Sequence, residues 1–286
     1  MNVDPAVLFA LGAMLCWGFG DFLAQRSVRA MGNLHTLCLI GIMELVLLFP
    51  FVWAENSLPF LLENIPLVIF FGLCVFVVAL LDFEALKQGK LSLVQVIWAL
   101  ELPVSVILGM VFFSESLTLF QWIAIALVFL GVAMVSLRKL SLDLSLLEKG
   151  VAIALVAALG MGLVNFLTAA AARGLSVLMA VWAPALVFTP LCLVFLWKRG
   201  DAKKLVSNAK SFPLLVLATG ITNVFAWVFF ALALSAAYLS ITVAITESYP
   251  VIGVILGVWV NKEHLSKHQW LGAAIALCAS VAVGLV

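Results

Sequence analysis

Charge is scarce in this sequence. Asp, Glu, Lys and Arg together make up 10% of it, where a soluble domain carries about a quarter. Hydrophobic residues fill 66% and the mean hydropathy is +1.27. No aqueous fold could hide that much apolar surface, so the solvent must be lipid. Cysteine and histidine are sparse too. Cys16, Cys38, Cys74, Cys192 and Cys278 all fall in apolar stretches with neither CxxC nor metal-ligand spacing, and read as small lipid- or core-facing side chains. His35, His264 and His268 lie in or near loops and form no metal or triad constellation. No Walker A motif is present, which excludes an ATP engine within the chain. The sequence thus calls for no metal, no cofactor and no nucleic-acid partner.

What is there is a series of long apolar runs. Against the roughly 20 residues needed to cross a bilayer, they give ten helices: 5–28, 34–54, 65–86, 91–113, 118–137, 148–172, 175–197, 212–234, 238–260 and 267–286. Backbone groups in lipid must bond within their own segment, so runs of this length are helical. No Lys or Arg precedes the first run, which begins at Pro5. It is longer than a signal-peptide core and reads as a true span. Ten spans put both termini on one side. Of the 15 basic residues, that side receives only Arg173. The other side receives Arg26, Arg29, Lys87, Lys90, Arg138, Lys139, Lys149, Lys198, Arg199, Lys203, Lys204, Lys210, Lys262 and Lys267. The positive-inside rule makes the basic side cytoplasmic and both termini extracytoplasmic, in a multi-pass plasma (inner) membrane protein.

The chain also repeats itself. ESLTLFQW at Glu115–Trp122 returns as EHLSKHQW at Glu263–Trp270, an offset of 148 that also pairs Gly72 with Gly220, Leu86 with Leu234 and Ser92 with Ser240. Pro103 and Pro250 agree after a one-residue slip. Nearer the N-terminus the offset is 144, matching the stretch from Ala10 with that from Ala154. Two five-helix halves, 1–140 and 145–286, follow, and an odd number of spans per half forces the second to be inverted. The loops agree: Trp53–Asn64 has no basic residue, and its counterpart Trp197–Lys210 has five. Thr118 with Gln121, and Ser266 with Gln269, have capping-box spacing, so both octapeptides read as turns that start a helix. Glu115 and Glu263 then sit at interfaces, outside the pathway.

These residues carry a resemblance. The doubled Pro-then-Gly fourth and ninth helices, the two E-x-L-[ST]-x-x-Q-W turns and the WGFGDF of Trp17–Phe22 resemble the EamA-type branch of the drug/metabolite transporter superfamily. The resemblance implies a ten-helix fold around a central cavity, working by alternating access, and export as the direction of transport.

Charged groups within spans are the informative ones. Asp21, Glu44, Glu101 and Glu247 lie well inside helices, where each would cost about 2.5–3.5 kcal/mol facing lipid. They must face a bundle interior or a wet cavity. Helical spacing groups Trp17 with Asp21, and their repeat mates are Met161 and Asn165, with Thr168 one turn on. It also groups Trp98 with Glu101, mated to Thr246 and Tyr249, and places Asn223 and Trp227 on one stripe. Trp17, Asp21, Trp98, Glu101, Asn165, Thr168, Asn223, Trp227, Thr246, Glu247 and Tyr249 are the expected substrate-binding set. Asp21, Glu44, Glu101 and Glu247 are the candidates for proton coupling. Asp82 and Glu84 are expected to form interfacial ion pairs with Lys87 and Lys90. Trp53 and Trp197 are expected to anchor the interface, and Ser105–Gly109 and Gly253–Gly257 to let helices pack closely.

With no Lys or Arg at mid-membrane, a multiply charged anion is disfavoured as cargo. The reading is a secondary active transporter exporting small metabolites (amino acids, amines or neutral compounds), with proton exchange at the buried acids. The alternative is a broad-specificity drug or cation extruder. From other classes, the few polar residues at the interfaces argue against a membrane enzyme, and a non-transporting scaffold has no use for intramembrane carboxylates. The expected partners are the bilayer, the small-molecule substrate and protons, and the chain is a monomer or homodimer.

Overall fold

The computed structural model describes residues 4–88, 94, 97–136, 149–252 and 266–284. Lys90, Ser92, Arg138, Lys139, Gly253, Gly257, Lys262, Glu263 and His264, which the sequence singled out, lie outside the described residues. The elements are α1 (Pro5–Met31), α2 (Asn33–Ala54), α3 (Leu58–Glu63), α4 (Ile65–Gln88), α5 (Glu101–Phe113), α6 (Leu119–Ser136), α7 (Lys149–Gly174), α8 (Val177–Lys198), α9 (Ala202–Ser211), α10 (Pro213–Ala236), α11 (Leu239–Thr246) and α12 (Lys267–Gly284). All are helical, and no strand occurs among the described residues.

Among the described residues, six helices are long and apolar enough to cross a membrane: Pro5–Met31, Asn33–Ala54, Ile65–Gln88, Ala152–Gly174, Val177–Lys198 and Pro213–Ala236. Glu101–Phe113, Leu119–Met134 and Leu239–Ile252 are shorter apolar helices. Outward faces are apolar: Val46, Phe51, Ile107, Val111 and Phe112 all stand exposed, as lipid demands and water would not allow. Trp53 and Trp197 are exposed at the last turns of α2 and α8.

Local signals start the helices. Asp4 accepts the Ala6 N–H at 2.9 Å ahead of Pro5, the first residue of α1. Ser176 accepts the Met179 N–H at 3.0 Å to cap α8. The Thr118 hydroxyl accepts the Gln121 N–H at 3.3 Å while Gln121 Oε1 accepts the Thr118 N–H at 2.9 Å, closing the capping box ahead of α6. At α12, Gln269 Oε1 accepts the Ser266 N–H at 3.1 Å.

Two spans expected to be continuous are interrupted. Val94, Ile97 and Trp98 are helical, Ala99 and Leu100 turn, and α5 starts at Glu101. In the second half α11 ends at Thr246, Glu247 and Ser248 turn, and the helix resumes at Tyr249. Pro103 and Pro250 explain both breaks. A proline has no N–H to offer and its ring collides with the carbonyl four residues back, here Ala99 and Thr246. Two further helices, α3 and α9, form in segments read from sequence as plain loops. The basic α9 is amphipathic, burying Leu205 and presenting its lysines.

Packing between the halves is reciprocal. α1 packs on α10 and α7 on α4, the first helix of each half against the third span of the other. α2 meets α8, α6 meets α12, and α5 meets α11. The α6–α12 contact is close. A Cβ on Gly131 would come within 2.6 Å of the Ala276 nitrogen, so only glycine fits.

Candidate functional site

The two interrupted helices turn inside the bundle, and a cavity of about 160 Å³ opens beside them. It is walled by both halves. Trp17 and Asp21 reach it from α1, Glu44 from α2, Asp82 from α4, and Trp98 and Glu101 from the first turn point. Asn165 and Thr168 come from α7, Asn223 and Trp227 from α10, and Glu247 and Tyr249 from the second turn point. Of the residues expected to bind substrate, Thr246 is the exception. It is buried and its hydroxyl donates to the Val243 carbonyl at 3.1 Å, so it closes α11 rather than lining the cavity.

Each acid is held by its element. Glu101 is the first residue of α5, so its carboxylate stands where helix N–H groups lack intrahelical partners. Glu247 occupies the turn that Pro250 forces. Asp82, placed by sequence at the interface, is buried and lines the cavity. It lies five residues before Lys87, about 140° around the helix, so the two side chains leave on different faces. Glu84 accepts from Asn33 Nδ2 at 2.5 Å and from Gln88 Nε2; of the two lysines expected to pair with it, Lys90 lies outside the described residues.

Asp21, Asp82, Glu101 and Glu247 are all within electrostatic reach of Tyr249 and form one group. No Lys, Arg or His lines the cavity among the described residues. Two carboxylate oxygens, Asp82 Oδ1 and Glu247 Oε2, are buried with no hydrogen-bond partner. The Trp98 indole lies close to Asp82 but outside hydrogen-bonding geometry, and its Nε1 is likewise unsatisfied. Aromatic rings enclose the group: Trp17 packs edge-on against Trp227 at 5.2 Å and Phe230 at 5.0 Å, with Tyr249 at 6.5 Å. No three His, Cys, Asp or Glu side chains among the described residues are grouped tightly enough to hold a metal ion. The arrangement suits an organic cation, or a proton, held by carboxylates under aromatic faces.

The lining runs from Ala24, Leu37 and Leu86 near the basic end to Ala180 and Val181 near the opposite end, in the first turns of α8. At that opposite end, outside the lining, lies another buried acid. Glu115 accepts the Leu239 and Ser240 N–H groups at 2.6 and 3.0 Å, the Ser240 hydroxyl at 2.7 Å and Arg173 Nη2 at 3.4 Å. Arg173 also donates to the carbonyls of Leu234 and Ala237 at 2.9 and 2.7 Å, and its guanidinium covers the Phe113 ring at 4.3 Å. The sequence placed Glu115 at an interface. It did not show that Glu115, from the first half, caps α11 of the second. Only the repeated glutamate hinted at a role, and the partner segment lies 124 residues away.

An all-helical bundle with apolar outward faces and an acid-lined cavity between two similar halves is a multi-pass membrane protein of the transporter type. The EamA-like transporter family model matches residues 4–137 and again 148–285, and the chain belongs to that family. A solved structure titled "Crystal structure of protein" is similar over 99% of this chain and 98% of that one, with a TM-score of 0.74 at 16% identity. It speaks for the fold alone. Comparison with curated protein sequences gives no match.

Proposed function

We propose that this EamA-family protein is a secondary active transporter that exports small metabolites, namely amines, amino acids or neutral compounds, by alternating access. The bundle is read as ten spans in two inverted halves, 1–140 and 145–286, with the basic end in the cytoplasm and both termini outside. Substrate would bind Trp17, Asp21, Trp98, Glu101, Asn165, Thr168, Asn223, Trp227, Glu247 and Tyr249, and Asp21, Glu44, Glu101 and Glu247 would exchange protons. The observation that carries this reading is the acidic cavity walled by both halves, with no Lys, Arg or His among the described residues that line it. Asp82 Oδ1 and Glu247 Oε2 are buried there without a hydrogen-bond partner, and acids kept inside a bundle suit visiting cations or protons. The second reading, a broad drug or cation extruder, shares the acidic lining. A cavity of about 160 Å³ falls below the roughly 300–1,000 Å³ of sites for drug-sized ligands, which favours small cargo.

The test is transport by the purified full chain in liposomes. Labelled amine or amino acid should move, with a rate that depends on pH. Asp21→Asn and Glu101→Gln should each abolish that flux while the protein stays monodisperse. Flux that survives both substitutions would overturn the assignment of these acids.

A further inference from the structure

The acids are not spread evenly around the cavity. Asp21, Asp82, Glu101 and Glu247 gather around Tyr249, on the wall made by α1, α4, α5 and the turn after α11. Those elements pack on one another and on α7: α5 meets α7 and α11, and α11 meets α1. Glu44 lines the same cavity from α2, which packs chiefly on α8, next on α10, and also on α1 and α4. Beside it, Trp182 of α8 donates its indole N–H to the Leu45 carbonyl at 3.1 Å, so this stretch of α2 is fixed against α8. Glu44 is 4% exposed. Glu44 is not among the acids that act on Tyr249, so the cavity has two acidic loci on different helices, with the Trp17 and Trp227 rings at the first.

A metal ion does not suit this layout, because the described carboxylates are not grouped to ligate one. A monoamine would meet one locus and leave the other unanswered. At the first locus Asp82 Oδ1 and Glu247 Oε2, both more than nine-tenths buried, have no donor. We propose that the cavity takes a small linear diamine, one ammonium among Asp21, Asp82, Glu101 and Glu247 and the other at Glu44. Its apolar methylene chain would lie along Phe71, Val75 and Val78 of α4, which line the cavity too. This rests on the transport reading above and narrows its cargo to one class.

The experiment measures binding to the purified full chain in detergent and flux in liposomes. The probes are 1,3-diaminopropane, 1,4-diaminobutane, 1,5-diaminopentane, the corresponding n-alkylamines, and neutral and zwitterionic amino acids. A charge-assisted hydrogen bond contributes about 1.5–3 kcal/mol, so the best diamine should bind at least about tenfold tighter than the alkylamine of equal length. Glu44→Gln should bring that ratio to within about twofold. Glu44→Asp keeps the charge but shortens the side chain by one methylene, and should move the preference to the next longer diamine. This readout decides the matter even if the Gln variant fails to fold. Equal affinity for diamines and alkylamines, or an unchanged preference in Glu44→Asp, would overturn the proposal. Robust flux of an amino acid with diamines ignored would also overturn it while leaving the transport reading intact. No flux or binding of any probe would remove both.

Discussion

Glu115 and Glu247 are both buried glutamates near α11, one at its start and one just past its end, and they are put to opposite uses. Glu115 receives three N–H or O–H donors from Leu239 and Ser240, and Arg173 besides. Glu247 presents Oε2 to a cavity and receives nothing there. Burial alone does not mark a working acid in a membrane protein. Saturation by donors distinguishes them: a filled carboxylate is a joint, and an unfilled one in a cavity waits for a visitor.

That contrast can be broken by substitution, with stability as the first readout. Glu115→Ala should do most damage. It leaves the first N–H groups of α11 buried without their acceptor, at about 1–3 kcal/mol for each, while the more exposed Arg173 keeps the Leu234 and Ala237 carbonyls; the result is a large fall in the thermal midpoint in detergent. Gly109→Ala comes next. A Cβ there would stand 2.6 Å from Glu115 Oε2, and overpacking of this kind costs about 1–3 kcal/mol. Glu247→Gln should leave the midpoint level or raise it, because it relieves an uncompensated buried acid, while flux falls at least about tenfold. A midpoint that drops as far as in Glu115→Ala would erase the distinction. Thr246→Val removes a hydroxyl that serves only the Val243 carbonyl; it should cost no more than about 1 kcal/mol and leave flux unchanged.

The smallest effect belongs to Asp201, outside the spans at the start of α9. Its hydrogen bond with Lys204 holds its carboxyl below the usual range, with smaller help from the charges of Lys204, His35 and Arg199. A depressed folded-state value means the contribution is present at neutral pH and is lost as pH falls through it. The group is exposed, so Asp201→Asn should differ from the parent only slightly near neutrality and converge with it in acid. Unfolding midpoints measured down the pH scale check this.

Much of the frame was legible in the residues. Hydropathy marked the long helices, and the repeat set Pro103 and Pro250 in matching spans, though it did not show that the chain would turn outright at Ala99–Leu100 and Glu247–Ser248. The helix stripes gathered the Trp17–Asp21 and Trp98–Glu101 faces, which the fold brings to one cavity. Sequence erred where a nearby charge looked like a partner. Asp82 read as a mate for lysines because linear distance says nothing about which side of a helix a residue leaves. Glu44 had no polar stripe to announce it, since its neighbours in the cavity come from other helices. Thr246 sat on the right stripe but just before a break that Pro250 imposes, and a stripe holds only while the helix does. The capping by Glu115 was beyond reach, because its partners are neither near in sequence nor marked by composition.

The crossing of Glu115 into the other half has a consequence for biogenesis. The glutamate is synthesised 124 residues before Leu239, whose N–H it must meet. Until the late helices arrive, a carboxylate and the beginnings of its pocket wait in the translocon or bilayer without their closing piece. The first half is thus committed early but completed last, and a chain truncated before Leu239 would present the quality-control machinery with an acid past the end of α5 that lacks the donors of Leu239 and Ser240.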